Sequence, residues 1–272
     1  MILDFHTHVF PDALARKAMI TMGERTLIPF YTDGSVEQLR ASMEASGVTH
    51  SVICNIAVKP GQTESVLRFA KGLLADAGQS PHLIPLASIH PFEEKRSALL
   101  REIRDGGFRG IKLHPDYQDF YINDPSLESF YREVFSLGLF ILFHTGVDKG
   151  YPEPVHATPD QILDILPVLE EGTTILAHMG GNDYCDEVER LLCGRNLYID
   201  TSYNLDKMPV EQARRIISAH GPERMLFATD SPWTDQKRYL DYFQSEVAEG
   251  FLSPRQRRSI LWDNGAALLG LT

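Results

Sequence analysis

The sequence predicts an α/β protein: a TIM-type (β/α)8 barrel, single domain, with a metal site at the C-terminal ends of its strands. Two observations carry the fold, eight short apolar runs and the amphipathic stretches that separate them. A third carries the site: five histidines and an aspartate stand at the ends of those runs. Short, continuous runs rich in β-branched and aromatic residues suit strands buried on both faces. Parallel neighbours need crossover helices, so repeated strand–helix units imply a parallel sheet that can close on itself.

The first run starts at Met1 and ends in Asp4-Phe5-His6-Thr7-His8. Side chains two apart on a strand share a face, so His6 and His8 point the same way. Residues 10–31 exceed a usual strand–helix connection and are expected to form a helical lid or edge piece. Ser35 is placed to cap a helix running to Ala45, with Gly47 as its stop. Strands are then expected at Ser51–Ile56, Leu83–Ile89 and Phe108–His114, with helices over Thr63–Ala77 and Glu93–Arg104. The remaining strands are Leu139–His144, Thr174–His178, Asn196–Thr201 and Met225–Asp230. Helices over Ser126–Leu137, from Thr158-Pro159, and over Asp183–Leu192, Val210–His220 and Gln236–Ala248 lie between or after them. Ser253-Pro254 opens a final helix to Leu269, with proline in the first turn, where its missing N–H costs nothing. No composition shift divides the 272 residues, and barrels of about 250 residues form one domain, so residues 1–272 are expected to be one unit.

Hydrophobic residues make up 43% of the chain, enough for a large core, and 26 Lys and Arg stand against 37 Asp and Glu, a formal net charge of −11. That balance argues against a nucleic-acid footprint, which would show clustered Lys and Arg, and against anionic membrane surfaces. No run approaches the roughly 18 apolar residues of a membrane span, and the amino terminus lacks the pattern of a signal peptide. Cys54, Cys185 and Cys193 are an odd set without CxxC spacing, read as free thiols in a reducing compartment. The expectation is a cytoplasmic enzyme acting on a small molecule, with no nucleic-acid or membrane partner.

Active sites of such barrels gather at the C-terminal ends of the strands. His6 and His8 end strand one, His114 strand four, His144 strand five, His178 strand six and Asp230 strand eight; the chain has ten histidines in all. Singly, each could be a histidine hydrogen-bonded at a loop start; together they predict a site for a divalent cation, for which neutral imidazole is the commonest protein ligand. Lys112 shares a face with His114, toward the barrel interior. It is either a cation for a substrate carboxylate or the partner of a barrel acid such as Asp200. Asp116, Tyr117, Gln118, Phe120, Tyr151, His156 and Trp233 follow strand ends, where they either shape a pocket or cover the barrel. His50, His82 and His220 fall at strand starts or helix ends and read as structural. His90 lines the pocket or merely precedes the turn at Pro91.

Several of these segments resemble a known family. Asp4-Phe-His-Thr-His8, Phe143-His-Thr-Gly146, Leu176-Ala-His-Met-Gly-Gly181, Ala228-Thr-Asp-Ser-Pro-Trp233 and Asn264-Gly-Ala-Ala-Leu-Leu-Gly270 are similar to the amidohydrolase superfamily. They most resemble the amidohydrolase-related branch, which holds aminocarboxymuconate-semialdehyde decarboxylase with related decarboxylases and lactonases. Gly110 to Gln118 is similar to a group of uncharacterised members. The resemblance implies that His6, His8, His144 and Asp230 ligate one divalent metal, usually zinc, and that His178 is the uncoordinated catalytic histidine. Three imidazoles and a carboxylate suit Zn²⁺, with Mn²⁺ or Fe²⁺ as alternatives. Other branches carry a carboxylated lysine bridging two metals, a third reading for Lys112 that this branch usually lacks. The resemblance is also compatible with a homodimer.

The leading expectation is hydrolysis of an amide, lactone or ester-like bond by water activated at the metal, with Asp230 or His178 moving the proton. The alternative is non-oxidative decarboxylation of a small carboxylic acid on the same groups. A barrel that has lost catalysis and only binds would show a missing ligand or a missing strand-six histidine, and none is missing.

Overall fold

The computed structural model describes residues 1–75, 78–151 and 153–271. Eight strands follow in chain order: β1 (Leu3–Thr7), β2 (His50–Ile53), β3 (His82–Pro85), β4 (Gly110–Leu113), β5 (Phe140–Phe143), β6 (Thr174–Leu176), β7 (Tyr198–Asp200) and β8 (Met225–Leu226). Parallel ladders join β1-β2-β3 and β4-β5-β6-β7-β8. Isolated parallel bridges cover the two remaining seams. Ala87 pairs with Ile111 between β3 and β4, and Thr7 pairs with Ser231 between β8 and β1. Backbone bonds reinforce both: Lys112 N–H donates to Ala87 O at 2.8 Å and Phe5 N–H to Phe227 O at 2.9 Å. The ring is therefore a TIM-type barrel, as the alternation predicts.

The helices form where their ends are chemically marked. The residues expected to form a lid or edge carry α1 (Asp12–Thr26). Ser35 caps α2 (Val36–Ser46) by accepting from Gln38 N–H, and Gly47 ends it at φ 78°. The outer layer continues with α3 (Thr63–Ala75), α4 (Arg96–Asp105) and α5 (Glu128–Ser136); the expected end of α3 at Ala77 lies outside the described residues. Thr158 and Gln161 make a reciprocal capping box at α6 (Pro159–Leu169). Then come α7 (Cys185–Leu191), α8 (Val210–His220), α9 (Gln236–Tyr242), α10 (Pro254–Arg258) and α11 (Asn264–Leu269). π-helical turns extend α9 through Ala248 and link α10 to α11, so both long C-terminal helices reach their expected ends. Helix α4 starts later than expected because Glu93 is engaged elsewhere, accepting from Gly61 N–H and Thr63 Oγ1.

The strands are shorter than the apolar runs, and each stops before its run does at the end that carries the site. The β6 ladder stops at Leu176 and β8 at Leu226, short of His178 and Asp230. There the backbone turns left-handed, with φ 59° at His178, 58° at Met179 and 70° at Asp230. Each such non-glycine residue costs about 1–3 kcal/mol, a cost that recurs at functional sites because it re-aims a side chain. A register shift between Asp4 and Thr7 does the same for β1. Phe5 packs against Phe140 while its neighbour His6 reaches Asp200 and Lys112, so consecutive residues both turn toward the barrel. Asp4 faces the outer layer, where Gln236 of α9 and Thr229 donate to its carboxylate. A local irregularity of this kind is a common way of aiming side chains at an active site.

Apolar residues inside the barrel, among them Leu3, Phe5, Leu142, Ile175 and Leu226, fill its lower part below the site. A larger core lies between strands and helices. His220, at the end of α8, is buried and hydrogen-bonds Leu197 O through Nε2 at 2.9 Å. Burial pulls its pKa down to about 4. Because the unfolded chain takes up this proton near pH 6.5 and the folded one resists it, the stability is complete above pH 6.5 and declines as pH falls toward 4. The loss amounts to roughly 3 kcal/mol by the linkage relation. In urea unfolding followed from pH 7 to 4, His220→Gln is expected to flatten this decline; parallel curves for the two proteins would remove His220 as its source. Among the described residues no helix is long and apolar enough to cross a membrane.

Candidate active site

A cavity of about 170 Å³ opens at the C-terminal end of the barrel. Its wall includes His6, His8, Lys112, His114, Tyr117, His144, His178, Asp230 and Trp233, among them every metal-type donor singled out from the sequence. Phe10, Met22, Thr26 and Ile28 close one side, so the stretch around α1 contributes to the cavity. Other loop residues do not reach it. Tyr151 packs on Tyr117 at 4.8 Å, Phe120 is in the core, and Gln118 holds loops together through His114 N–H and Ala57 O. His90 bonds Gln118 O, which makes it a loop pin. His50 stacks on His82 and meets Trp262 edge-on, away from the cavity.

The floor is organised by Asp200. Its Oδ2 lies 2.9 Å from His6 Nδ1. Its Oδ1 accepts from the backbone N–H of His178 and of Ser202, each at 3.0 Å, and from Ser202 Oγ at 2.5 Å. The carboxylate thus fixes His6 with its proton on Nδ1 and a lone pair on Nε2. Such a carboxylate partner is what a metal-ligating histidine usually has. His6 Nε2 is 3.6 Å from Asp230 Oδ1, and His8 Nε2 is 3.2 Å from the same oxygen. These three ligand atoms lie within 4.8 Å of one another. Neighbouring ligands around an ion with bonds of about 2.1 Å stand roughly 3–3.5 Å apart, so the donor set fits one divalent cation.

His144 stands in a second group, with His114 and Asp148. The His114 and His144 rings are stacked at 3.9 Å and 9°. Imidazole lone pairs lie in the ring plane, and nearly parallel planes do not meet at a common ion. This second group therefore does not offer both rings to one ion as arranged. His114 instead points Nε2 at Asp148 Oδ2, 3.3 Å away.

His178 has an assignable tautomer. The single proton of Ser202 Oγ goes to Asp200, so His178 Nδ1, 3.0 Å from that oxygen, must donate to it. Nε2 of His178 then carries a lone pair, 2.9 Å from His144 Nδ1. Burial, the largest effect, holds His6, His114, His144 and His178 well below the ordinary histidine range, so all are neutral. For Asp230 burial acts upward, but the opposing effects, led by the His8 hydrogen bond, outweigh it, and the carboxyl sits below its usual range. The site offers a carboxylate and a neutral imidazole side by side, both able to accept a proton.

Two positions important to this geometry carry no motif. Asp148 enters because Gly146, at φ 80°, lets the loop after β5 lie directly on Asn182; a Cβ there would be 2.1 Å from Asn182 N. Tyr203 lines the cavity after β7. Their only sequence signal is distance, a few residues past a strand end. Asp200 was available as a partner for Lys112, yet it bonds His6, and no carboxylate among the described residues forms an ion pair with Lys112 within 4.0 Å.

A parallel barrel with a buried histidine–aspartate cluster at its strand ends defines a class of barrel enzymes that use a bound metal. The amidohydrolase family model (Amidohydro_2) matches residues 3–271. This chain belongs to the amidohydrolase family, and it is an enzyme of that superfamily. Solved structures of the same fold include 5-carboxyvanillate decarboxylase from Sphingomonas paucimobilis, 15% identical with TM-score 0.73, covering 100% of this chain and 99% of that one. A Pseudomonas putida protein assigned as a 2-pyrone-4,6-dicarboxylic acid hydrolase is 19% identical with TM-score 0.67, covering 99% and 97%. A dihydroxybenzoic acid decarboxylase from Polaromonas, solved with manganese, is 17% identical with TM-score 0.68, covering 99% and 97%. At these identities the likeness shows the fold. A search of curated proteins gives no match.

Proposed function

We propose that this protein is a metal-dependent hydrolase of an amide, lactone or ester-like bond in a small molecule. The observation that carries the reading is the convergence of His6 Nε2, His8 Nε2 and Asp230 Oδ1 on the cavity floor. His6, His8 and Asp230 would hold the ion, most simply zinc, with His144 completing the set after a turn of its ring. When bound there, a divalent ion polarises a carbonyl and makes water acidic enough to attack near neutral pH.

The chain's own groups do the rest. Asp230 Oδ2, the oxygen not facing His8, is free to accept a proton from the attacking water. His178 Nε2, with Nδ1 committed to Ser202 and its lone pair released once the His144 ring turns toward the ion, accepts or returns a proton at the leaving group. Trp233, Tyr117 and the α1 side close around a small substrate and limit bulk water.

Decarboxylation is the second reading, and one observation favours it. Lys112 is fully buried in the cavity wall, where an ammonium suits a substrate carboxylate. The two reactions separate cleanly in products. Metal-loaded protein is expected to release acid without carbon dioxide from a panel of lactones, esters and amides. Carbon dioxide from carboxylic acids as the only product would overturn hydrolysis. Asp230→Asn keeps the shape but removes the charge and the proton-accepting oxygen. Turnover is expected to fall by about a hundredfold or more, the scale of lost acid–base help, while the melting temperature stays close to the parent's. Full activity in this variant would exclude Asp230 as base and as essential ligand.

A further inference from the structure

The ammonium of Lys112 occupies an unusual position for a buried cation. The side chain is fully buried in the cavity wall. Its Nζ lies 3.1 Å from His6 Nε2, the atom whose lone pair the Asp200 contact leaves exposed. This is the one hydrogen bond Nζ makes among the described residues, so two of its three N–H groups lack a protein acceptor. Burial pulls the Lys112 pKa below the ordinary lysine value; Asp200 and Asp230 oppose this through space, but neither is within ion-pair distance. Burying a cation without a counter-charge is costly, and the cavity is where that charge can arrive.

We propose that Lys112 is an exchangeable cap: it holds the His6 Nε2 lone pair in the metal-free protein, and a divalent ion that takes this lone pair displaces it to become the anchor for a carboxylate of the substrate. The inference rests on the metal reading above and holds for either reaction. A lone pair serves one partner at a time, so ion and lysine must exchange. An N–H of Lys112 donates to His6 whether the lysine is charged or neutral. Once displaced, Nζ would still belong to the cavity wall that Lys112 lines, with its N–H groups available to a ligand there. The substrate class is thereby narrowed to small molecules bearing a carboxylate next to the reacting group.

The test compares wild type with Lys112→Met, whose unbranched apolar chain fills similar space, and with Lys112→Gln as a second variant should methionine impair folding. Metal-free proteins are titrated with zinc against a chromophoric chelator. Removing the competitor is expected to tighten zinc binding by about tenfold, the worth of one buried hydrogen bond. Zinc-loaded proteins are then titrated calorimetrically with benzoate, whose binding should weaken at least tenfold in both variants. Unchanged zinc affinity overturns the cap, and benzoate binding that is absent from wild type or equal in all three proteins overturns the anchor. The His6→Ala/His8→Ala protein keeps the failures apart. If that protein retains zinc, the metal reading itself falls; if it loses zinc while the Lys112 variants behave like wild type, only the present inference does.

Discussion

Replacing His6 and His8 together with alanine is expected to abolish stoichiometric binding of a divalent ion. Both imidazoles project from one strand into the same cavity, and both approach the same oxygen of Asp230. His6 has its far nitrogen already tied to Asp200, so its Nε2 is preorganised toward the cavity. Losing even an outer partner of a metal ligand commonly lowers affinity 10–100-fold, and losing two inner nitrogens should exceed that range. Elemental analysis of purified protein, about one ion per chain in the parent and none in the variant, is the measurement. Full metal content in the double variant would mean that the ion sits elsewhere, and the second group around His114, His144 and Asp148 would become the place to look.

His178→Asn is expected to do the opposite: keep the metal and lose turnover. The residue lies two positions past the end of β6, in a left-handed conformation held by Asp200 and Ser202. Its Nε2 is placed as a proton acceptor in the cavity, and acid–base help of this kind is worth about 10²–10⁴ in rate. Asparagine can still donate to Ser202 and tolerates the left-handed backbone better than most residues. The fold should therefore survive and the loss should lie in kcat. A variant that loses its ion instead would make His178 a ligand. The 2.9 Å approach of its Nε2 to His144 Nδ1 would then be two neighbouring donors of one ion rather than a hydrogen bond.

Eight apolar runs and the helices between them were legible in the sequence because burial on both faces imposes continuous hydrophobicity. So were the histidines and Asp230 of the cavity wall, since a parallel barrel places every strand's C-terminal end on one face, and a histidine or aspartate there has few other places to go. The grouping within that wall was not legible. Period-two alternation correctly places His6 and His8 on one face, but the register shift that also turns Phe5 inward depends on how β1 meets its neighbours. The sequence treats His144 and Asp230 alike, as residues at strand ends. The tertiary structure separates them, stacking His144 on His114 and drawing Asp230 between His6 and His8.

Asp200 shows the same division most clearly. By sequence it is an acid in strand seven, available to any nearby cation. In the fold it lies 2.9 Å from His6 and receives the backbone of His178, which leaves Lys112 without a carboxylate at ion-pair distance among the described residues. The sequence by itself determined the barrel, its metal-type donors and the end of the barrel where they gather, because these follow from residue type and periodicity. Only the tertiary structure decided which donors meet, which nitrogen of each histidine is free and which cation is unpaired, because those depend on angles and distances of a few tenths of an ångström between strands far apart in the chain.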